Sequence, residues 1–257
     1  MKTQTALITG ASAGIGRELA KLFAADHFNL ALVARNGTRL AQFADELQRQ
    51  LGITAKSFPL DLTDQSAPQF LFDQLARENI AIDVLVNNAG YGIRGAFSEI
   101  ATDESLGQIQ LNIAALTHLT KLFLAPMLER RSGKILNVAS TAGFQPGPLM
   151  AVYYATKAYV ISFSEALANE LQGTGVNVTC LCPGPTDTEF QGRAGTEDSL
   201  LKRMRPMTAK AVAVDGYRAL MKGKPLVISG FKNWLLAESL RISPRRVVTA
   251  VSRKILE

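Results

Sequence analysis

Near its start the chain carries a strand, a glycine-rich turn and a helix in direct succession, and few folds accommodate that order. Thr5-Ala-Leu-Ile-Thr9 is an apolar, β-prone run suited to a strand buried on both faces. From Ile15 onward Leu19, Leu22 and Phe23 recur at helical spacing. Between them stand Gly10, Ser12, Gly14 and Gly16. Gly10 permits a tight turn, and the missing Cβ atoms let backbone approach a pyrophosphate. A helix beginning near Gly14 points unpaired N–H groups and the positive end of its dipole at such an anion. The spacing is Gly-x-x-x-Gly-x-Gly rather than the common Gly-x-Gly-x-x-Gly, so a turn that serves packing alone is the competing reading.

The pattern continues along the chain. Strands are expected near 5–9, 29–34, 54–58, 83–86, 134–138, 175–181 and 225–229. Helices are expected near 15–26, 37–51, 65–79, 103–130, 152–172 and 208–222, with one or two more after 231. This alternation predicts an α/β, doubly wound, seven-stranded and mainly parallel sheet with helices on both faces. At 257 residues and 47% hydrophobic, the chain can bury one core as a single domain. Residues 1–230 form its main body and 231–257 a basic, amphipathic helical extension. Ligands of such sheets bind beyond the carboxyl ends of the strands.

The chemistry is concentrated in Tyr153-Tyr-Ala-Thr-Lys157, with Ser140 thirteen residues earlier. On a helix Tyr153 and Lys157 share a face, whereas Ala158 stands four residues beyond Tyr154. A cation within ~4–6 Å favours a phenolate and lowers its pKa by roughly 1–3 units. Such a tyrosine exchanges protons with an alcohol or ketone near neutral pH. The bland alternative is a tyrosine packed beside a solvated lysine.

These pieces occur in a definite order: Thr9-Gly10-x-x-x-Gly14-Ile15-Gly16, Asp61, Asn87-Asn88-Ala89-Gly90, Asn112, Ser140, Tyr153-x-x-x-Lys157 and Pro183-Gly184. Over residues 3 to 190 the chain resembles the short-chain dehydrogenase/reductase family, which implies a Rossmann-type fold and oxidoreductase activity. The resemblance makes Tyr153 the general acid in reduction and the base in oxidation. It makes Ser140 the group that polarises the substrate carbonyl, and Lys157 the holder of the nicotinamide ribose. Asn112 would hold a water connecting Lys157 to solvent; bracing helix to sheet is the alternative. For Ser140 the alternative is a hydroxyl bonding local backbone. Gly10, Ser12, Gly14, Ile15, Gly16, Asn88, Ala89 and Gly90 would line the cofactor, with Asp61 on the adenine amino group and Asn87 bracing the sheet. Pro183, Gly184, Thr186 and Thr188 would contact the nicotinamide end. Here Pro-Gly-Pro-Thr-Asp-Thr departs from the family's Pro-Gly-x-(Val/Ile)-x-Thr, since Thr186 replaces an aliphatic residue.

The second strand ends Ala34-Arg35-Asn36, without the acidic residue that accepts the ribose 2′-hydroxyl of NAD. A guanidinium offers bidentate contact to a 2′-phosphate, so NADP(H) is favoured over NAD(H). If Arg35 is only a solvated strand-end residue, the choice stays open. The segment 144–151, with Phe190 and Met204, is expected to contact an apolar or acyl-like substrate, and 189–207 to act as a mobile lid.

Residues 202–257 hold 13 Lys/Arg against 3 Asp/Glu. Trp234, Leu235, Leu236, Leu240, Val247, Val248, Val251 and Ile255 form apolar stripes among these charges. Such a tail can close over the pocket, meet a second subunit (a homodimer or homotetramer) or lie on an anionic membrane. No nucleic-acid motif accompanies the charge. No leader is recognisable and no apolar run is expected to reach the ~20 residues of a membrane span, so a cytoplasmic location, with peripheral membrane contact as a variant, is expected. Cys180 and Cys182 read as buried small hydrophobes, and His27 and His118 offer little for a metal site. The expectation is an NADPH-dependent carbonyl reductase or alcohol dehydrogenase. The alternatives are a regulatory or scaffold protein that holds NADP without turnover and a membrane-peripheral lipid or sterol ketoreductase.

Overall fold

A computed structural model describes residues 3–195 and 206–257. β1 (Thr5–Thr9) is buried throughout and leads through the glycine turn into α1 (Gly14–Ala25). β2 (Asn29–Ala34) is followed by α2 (Gly37–Leu51). The Asn36 side chain caps α2 by accepting from the Arg39 N–H at 3.0 Å, and Gly52 ends it in the left-handed region. β3 (Ala55–Pro59), α3 (Ala67–Arg77) and β4 (Val84–Asn87) come next. α4 (Thr102–Ile109) passes through a π-helical turn at Gln110–Ala115 into α5 (Leu116–Glu129). β5 (Gly133–Val138), a 3₁₀ turn (Thr141–Phe144), α6 (Ala151–Glu170) and β6 (Val176–Cys182) complete the catalytic half. β7 (Thr186–Asp187), α7 (Phe190–Ala194), β8 (Met207–Thr208), α8 (Ala209–Met221), β9 (Leu226–Ile228), α9 (Phe231–Ser239) and α10 (Arg245–Leu256) follow.

The main sheet has strand order β3-β2-β1-β4-β5-β6-β9, and every pairing is parallel. This is a Rossmann-type, doubly wound sheet in one domain. Alternation along the strands explains why helices cover both faces. Ala6 and Ile8 of β1 point to a core shared with Leu19 and Phe23 of α1, Leu40 and Phe43 of α2 and Val212 of α8. Leu7 points the other way, to Leu71 of α3 and Leu119, Phe123 and Met127 of α5. Truncating a fully buried aromatic such as Phe23 to alanine costs about 3–5 kcal/mol.

The strand order reverses between β1 and β4, which opens a crevice at their carboxyl ends. Thr9 ties the two sides together. Its hydroxyl donates to the Val86 carbonyl at 3.2 Å and accepts from the N–H groups of Asn88 and Ala89 at 2.9 and 3.0 Å.

Two expectations need correction. The continuous helix 102–129 is 28 residues long, with a mean hydropathy of 1.3 in its most apolar stretch, and is long and apolar enough to cross a membrane. In the fold one face of it packs against the sheet through Leu119, Phe123 and Met127. The two-residue pair β7·β8 was not expected either, because so short a pairing leaves no periodicity to read.

Candidate active site

The glycine turn is shaped by space as well as by backbone angle. Gly10 has φ +67°, and a Cβ there would lie 2.7 Å from the Asn88 amide nitrogen. A Cβ on Gly16 would lie 2.4 Å from the Gly10 carbonyl oxygen, so α1 can start this close to β1 only with glycine. The Asn88 side chain itself donates to the Thr9 and Gly10 carbonyls at 2.8 and 3.3 Å. It builds the turn rather than reaching out from it.

A cleft of about 700 Å³ runs from this turn to the Tyr153 helix. Gly10, Ser12, Gly14, Ile15, Arg35, Asp61, Asn88, Ala89, Gly90, Ser140, Tyr153, Lys157, Pro183, Gly184, Thr186 and Thr188 all line it. Gly16 and Asn112 do not. Arg35 is an exposed rim residue with no ion pair among the described residues. One Asp61 carboxylate oxygen is taken by the backbone and hydroxyl of Thr63, at 3.0 and 2.8 Å. Asn87 braces the sheet as expected, donating to Thr120 Oγ1 and Asn137 Oδ1.

Tyr153 and Lys157 are both buried on one face of α6. Burial pushes the Tyr153 phenol above its ordinary value, and the Ser140 hydroxyl pulls it back. Lys157 is not the group that does so. Its ammonium donates to the Val138 carbonyl at 2.9 Å and lies 5.8 Å from the centre of the Tyr153 ring. Burial lowers its pKa to about 8. The expected depression of the tyrosine is not realised: burial outweighs the Ser140 hydroxyl and leaves the phenol above its ordinary value. Ser140 also accepts from the Ala142 N–H at 3.1 Å, which is the local-backbone contact of the alternative reading.

Asn112 is 1% exposed and sits in the π-helical turn. π-turns are frequent at functional sites because they offset one residue from the helical register. Its amide donates to the Tyr91 carbonyl at 2.9 Å and to Thr156 Oγ1 at 3.0 Å, and its oxygen accepts from the Tyr91 N–H at 3.1 Å. These are bracing contacts between helix, loop and α6. Gly90 lies between Asn112 and Lys157: a Cβ there would be 3.0 Å from Asn112 Oδ1 and 3.4 Å from Lys157 Nζ.

The tail forms a wall of the cleft. Leu236, Leu240, Val247, Val248, Val251 and Ile255 line it, while Trp234 and Leu235 face outward. Asn233 presses on Gly184, where a Cβ would lie 2.5 Å from its amide. Leu256 is fully buried with Met150, Tyr153 and Tyr154. Arg94 fixes the end of α10: its guanidinium donates to the Leu256 carbonyl, to the Glu257 carbonyl at 2.7 Å and to the Gly195 carbonyl at 3.2 Å. Sequence reasoning missed Arg94, Asn233 and Ser252, since nothing local marks residues whose partners lie so far along the chain. Of the expected apolar contacts in 144–151 only Met150 reaches the cleft; Phe144 packs into a separate core cluster. Phe190 does reach it, its ring 5.3 Å from that of Tyr153. Most of the expected lid segment, Met204 included, lies outside the described residues; the described part of 189–207 holds α7 and the first residue of β8. Cys180 and Cys182 are buried free thiols 3.7 Å apart, behind Lys157.

Residues 4–199 match the short chain dehydrogenase family, and the chain belongs to it. It is 38% identical over 181 residues to a ketoacyl reductase, HetN, of a Nostoc species, an alignment covering 70% of this chain and 63% of that protein. The chain thus matches less than two thirds of that relative's length. Among solved structures it resembles a short-chain dehydrogenase from Sphingobium yanoikuyae in complex with NADPH, with 31% identity, TM-score 0.84, and 93% and 94% of the two chains covered. It also resembles the bulky-bulky ketone specific alcohol dehydrogenase from Comamonas testosteroni, with 29% identity, TM-score 0.80, and 94% and 93% covered. The protein is an oxidoreductase of this family, with NADP-complexed relatives and ketone or alcohol dehydrogenases as neighbours.

Proposed function

We propose that the chain is an NADPH-dependent reductase of apolar ketones. The observation that carries this reading is the convergence of Ser140, Tyr153 and Lys157 on one cleft with the glycine turn. The cradle left by Gly10, the exposed Arg35 guanidinium and the Gly90 backbone beside Lys157 fit a dinucleotide with a 2′-phosphate. When bound, the cofactor supplies the hydride. The protein does the rest. Tyr153 keeps its proton across the neutral range because burial opposes the phenolate, which suits a proton donor to a carbonyl being reduced. Ser140 orients that phenol and polarises the carbonyl. Lys157 holds the ribose, and the bracing contacts of Asn112 keep α6 in register with the loop at Tyr91. A protein that merely bound NADP would have no use for this proton-donating arrangement.

The cleft walls supplied by Met150, Phe190 and the tail favour bulky apolar substrates, in line with the ketone-specific neighbour. The experiment is NADPH oxidation against apolar ketones, β-ketoacyl esters and sterols. Turnover of none of them, alongside tight NADPH binding, would favour the regulatory alternative.

A second reading concerns location. Phe231 (73% exposed) stacks on Trp234, and Leu235 and Ile242 are exposed as well, as are the basic Lys232, Arg241, Arg245 and Arg246 of the same segment. That composition suits an anionic bilayer surface. Salt-sensitive sedimentation with anionic liposomes tests it. Leu106, Ile109 and Leu128 of the long helix, exposed with Tyr159 of α6, suit a second copy, which a mass measurement tests.

A further inference from the structure

α9 is apolar on two opposite faces. Its Leu236 and Ala237, with Leu240 just beyond its end, line the cleft. Phe231, Trp234 and Leu235, spaced i, i+3 and i+4, share the other face and are exposed. A helix apolar all round is ordinarily buried on every side, and this one is buried on one. The cleft is also open beside it. Leu236 of α9 and Val247 and Val251 of α10 line the cleft and are nonetheless 54%, 55% and 52% exposed, so the tail gives it an apolar lip. Charge decides what kind of surface meets that lip. Residues 231–257 hold six Lys/Arg against two Asp/Glu. Glu238 pairs with Arg241 and Glu257 with Arg253, which leaves the exposed Lys232, Arg245, Arg246 and Lys254 without an ion pair among the described residues. A second copy meeting this segment would bring the same positive charge against it, whereas an anionic lipid surface attracts it.

We propose that this lip is the entry for substrates held in an anionic lipid surface. The bilayer receives Phe231, Trp234 and Leu235, and a long-chain ketone passes over Leu236 into the cleft. This rests on the ketone reductase and bilayer readings above, and adds to them where the substrate comes from. A chain that leaves lipid for an apolar wall exchanges one hydrocarbon environment for another, so its methylenes are never exposed to water on the way.

The test follows NADPH oxidation with two substrates, the soluble ethyl ester of β-oxohexanoic acid and the ethyl ester of β-oxooctadecanoic acid held in vesicles. The vesicles are phosphatidylcholine alone or phosphatidylcholine with phosphatidylglycerol, and sedimentation of the protein with them is measured alongside. Wild type should reduce the vesicle-borne ester about tenfold faster from the anionic vesicles, and high salt should remove that gain. Trp234→Ser combined with Leu235→Ser should abolish the gain and the sedimentation, while reduction of the soluble ester stays near the wild-type rate. Arg245→Gln combined with Arg246→Gln should weaken the preference for anionic vesicles in the same way. Equal rates from the two kinds of vesicle, or equal losses on the soluble and the vesicle-borne ester in these variants, overturn the proposal. So does a Trp234/Leu235 variant that turns a dimer into a monomer yet sediments with vesicles as wild type does, which assigns the face to a second copy. Sedimentation that depends on Trp234 and Leu235, with neither ester reduced, supports the docking face and overturns the reductase reading.

Discussion

The Lys157 ammonium is committed to the Val138 carbonyl, 2.9 Å away, at the carboxyl end of β5. The same burial that orders it holds its pKa near 8, below the ordinary 10.5. The folded chain therefore releases this proton earlier than the unfolded chain. Between pH 8 and 10.5 the unfolded state binds more protons, so this group's contribution to stability rises with pH across that window; below pH 8 the cost of burying the ammonium is fully present. Lys157→Met removes the effect. The unfolding free energy of wild type minus that of Lys157→Met should climb by a few kcal/mol across the window, on the order set by ~1.4 kcal/mol per pKa unit. Denaturant titrations at several pH values measure it. A flat difference contradicts the burial argument.

Arg94 is the tie that closes the tail over the cleft, through the carbonyls of Leu256 and Glu257. Replacing it with methionine keeps the apolar stem and removes hydrogen bonds from a charged donor, each worth ~1.5–3 kcal/mol. KM for bulky apolar ketones should rise about tenfold or more, while the dissociation constant of NADPH stays within twofold. Limited proteolysis should then cut in α10 sooner than in wild type. Unchanged KM and unchanged proteolysis would mean that the packing of Leu256 alone holds the roof.

Arg35 stands exposed at the rim after β2, next to Ala34. Arg35→Ala combined with Ala34→Asp removes a guanidinium and adds a carboxylate that repels a 2′-phosphate and accepts from a 2′-hydroxyl. Preference for NADPH over NADH should fall roughly ten- to a hundredfold, the worth of ~1.5–3 kcal/mol. Steady-state kinetics with both cofactors measure it. Unaltered selectivity would assign recognition of the 2′-phosphate to other residues.

What could be read from the sequence was whatever backbone geometry ties to a residue type. Gly10 and Gly16 are legible because no other residue fits a positive φ or a 2.4 Å approach. Tyr153 and Lys157 are legible because helical spacing puts them on one face. The partner of Lys157 was not, since it is a main-chain carbonyl, and a carbonyl leaves no mark on residue type. The Arg94 tie bridges more than 160 positions to backbone oxygens and is equally silent. The apolar stripes of the tail were visible, but which members face the cleft depends on how α9 and α10 dock. Trp234 and Leu235 turned out to face outward, and Leu236 and Val248 inward.

The central claim is that Tyr153, held by Ser140, donates the proton in carbonyl reduction, and that its neighbour Tyr154 does not. Single-turnover reduction of an apolar ketone by NADPH, in Tyr153→Phe and Tyr154→Phe, separates the two most directly. Each change removes one hydroxyl from a buried ring of the same face of the cleft, so packing losses are matched. Tyr153→Phe should lose ~10²–10⁴-fold in rate with NADPH binding nearly intact, as expected for loss of general acid catalysis. Tyr154→Phe, whose hydroxyl is influenced by Ser252 rather than Ser140, should stay near the wild-type rate. Equal losses in the two variants, or a Tyr153→Phe enzyme that keeps its rate, would contradict the account.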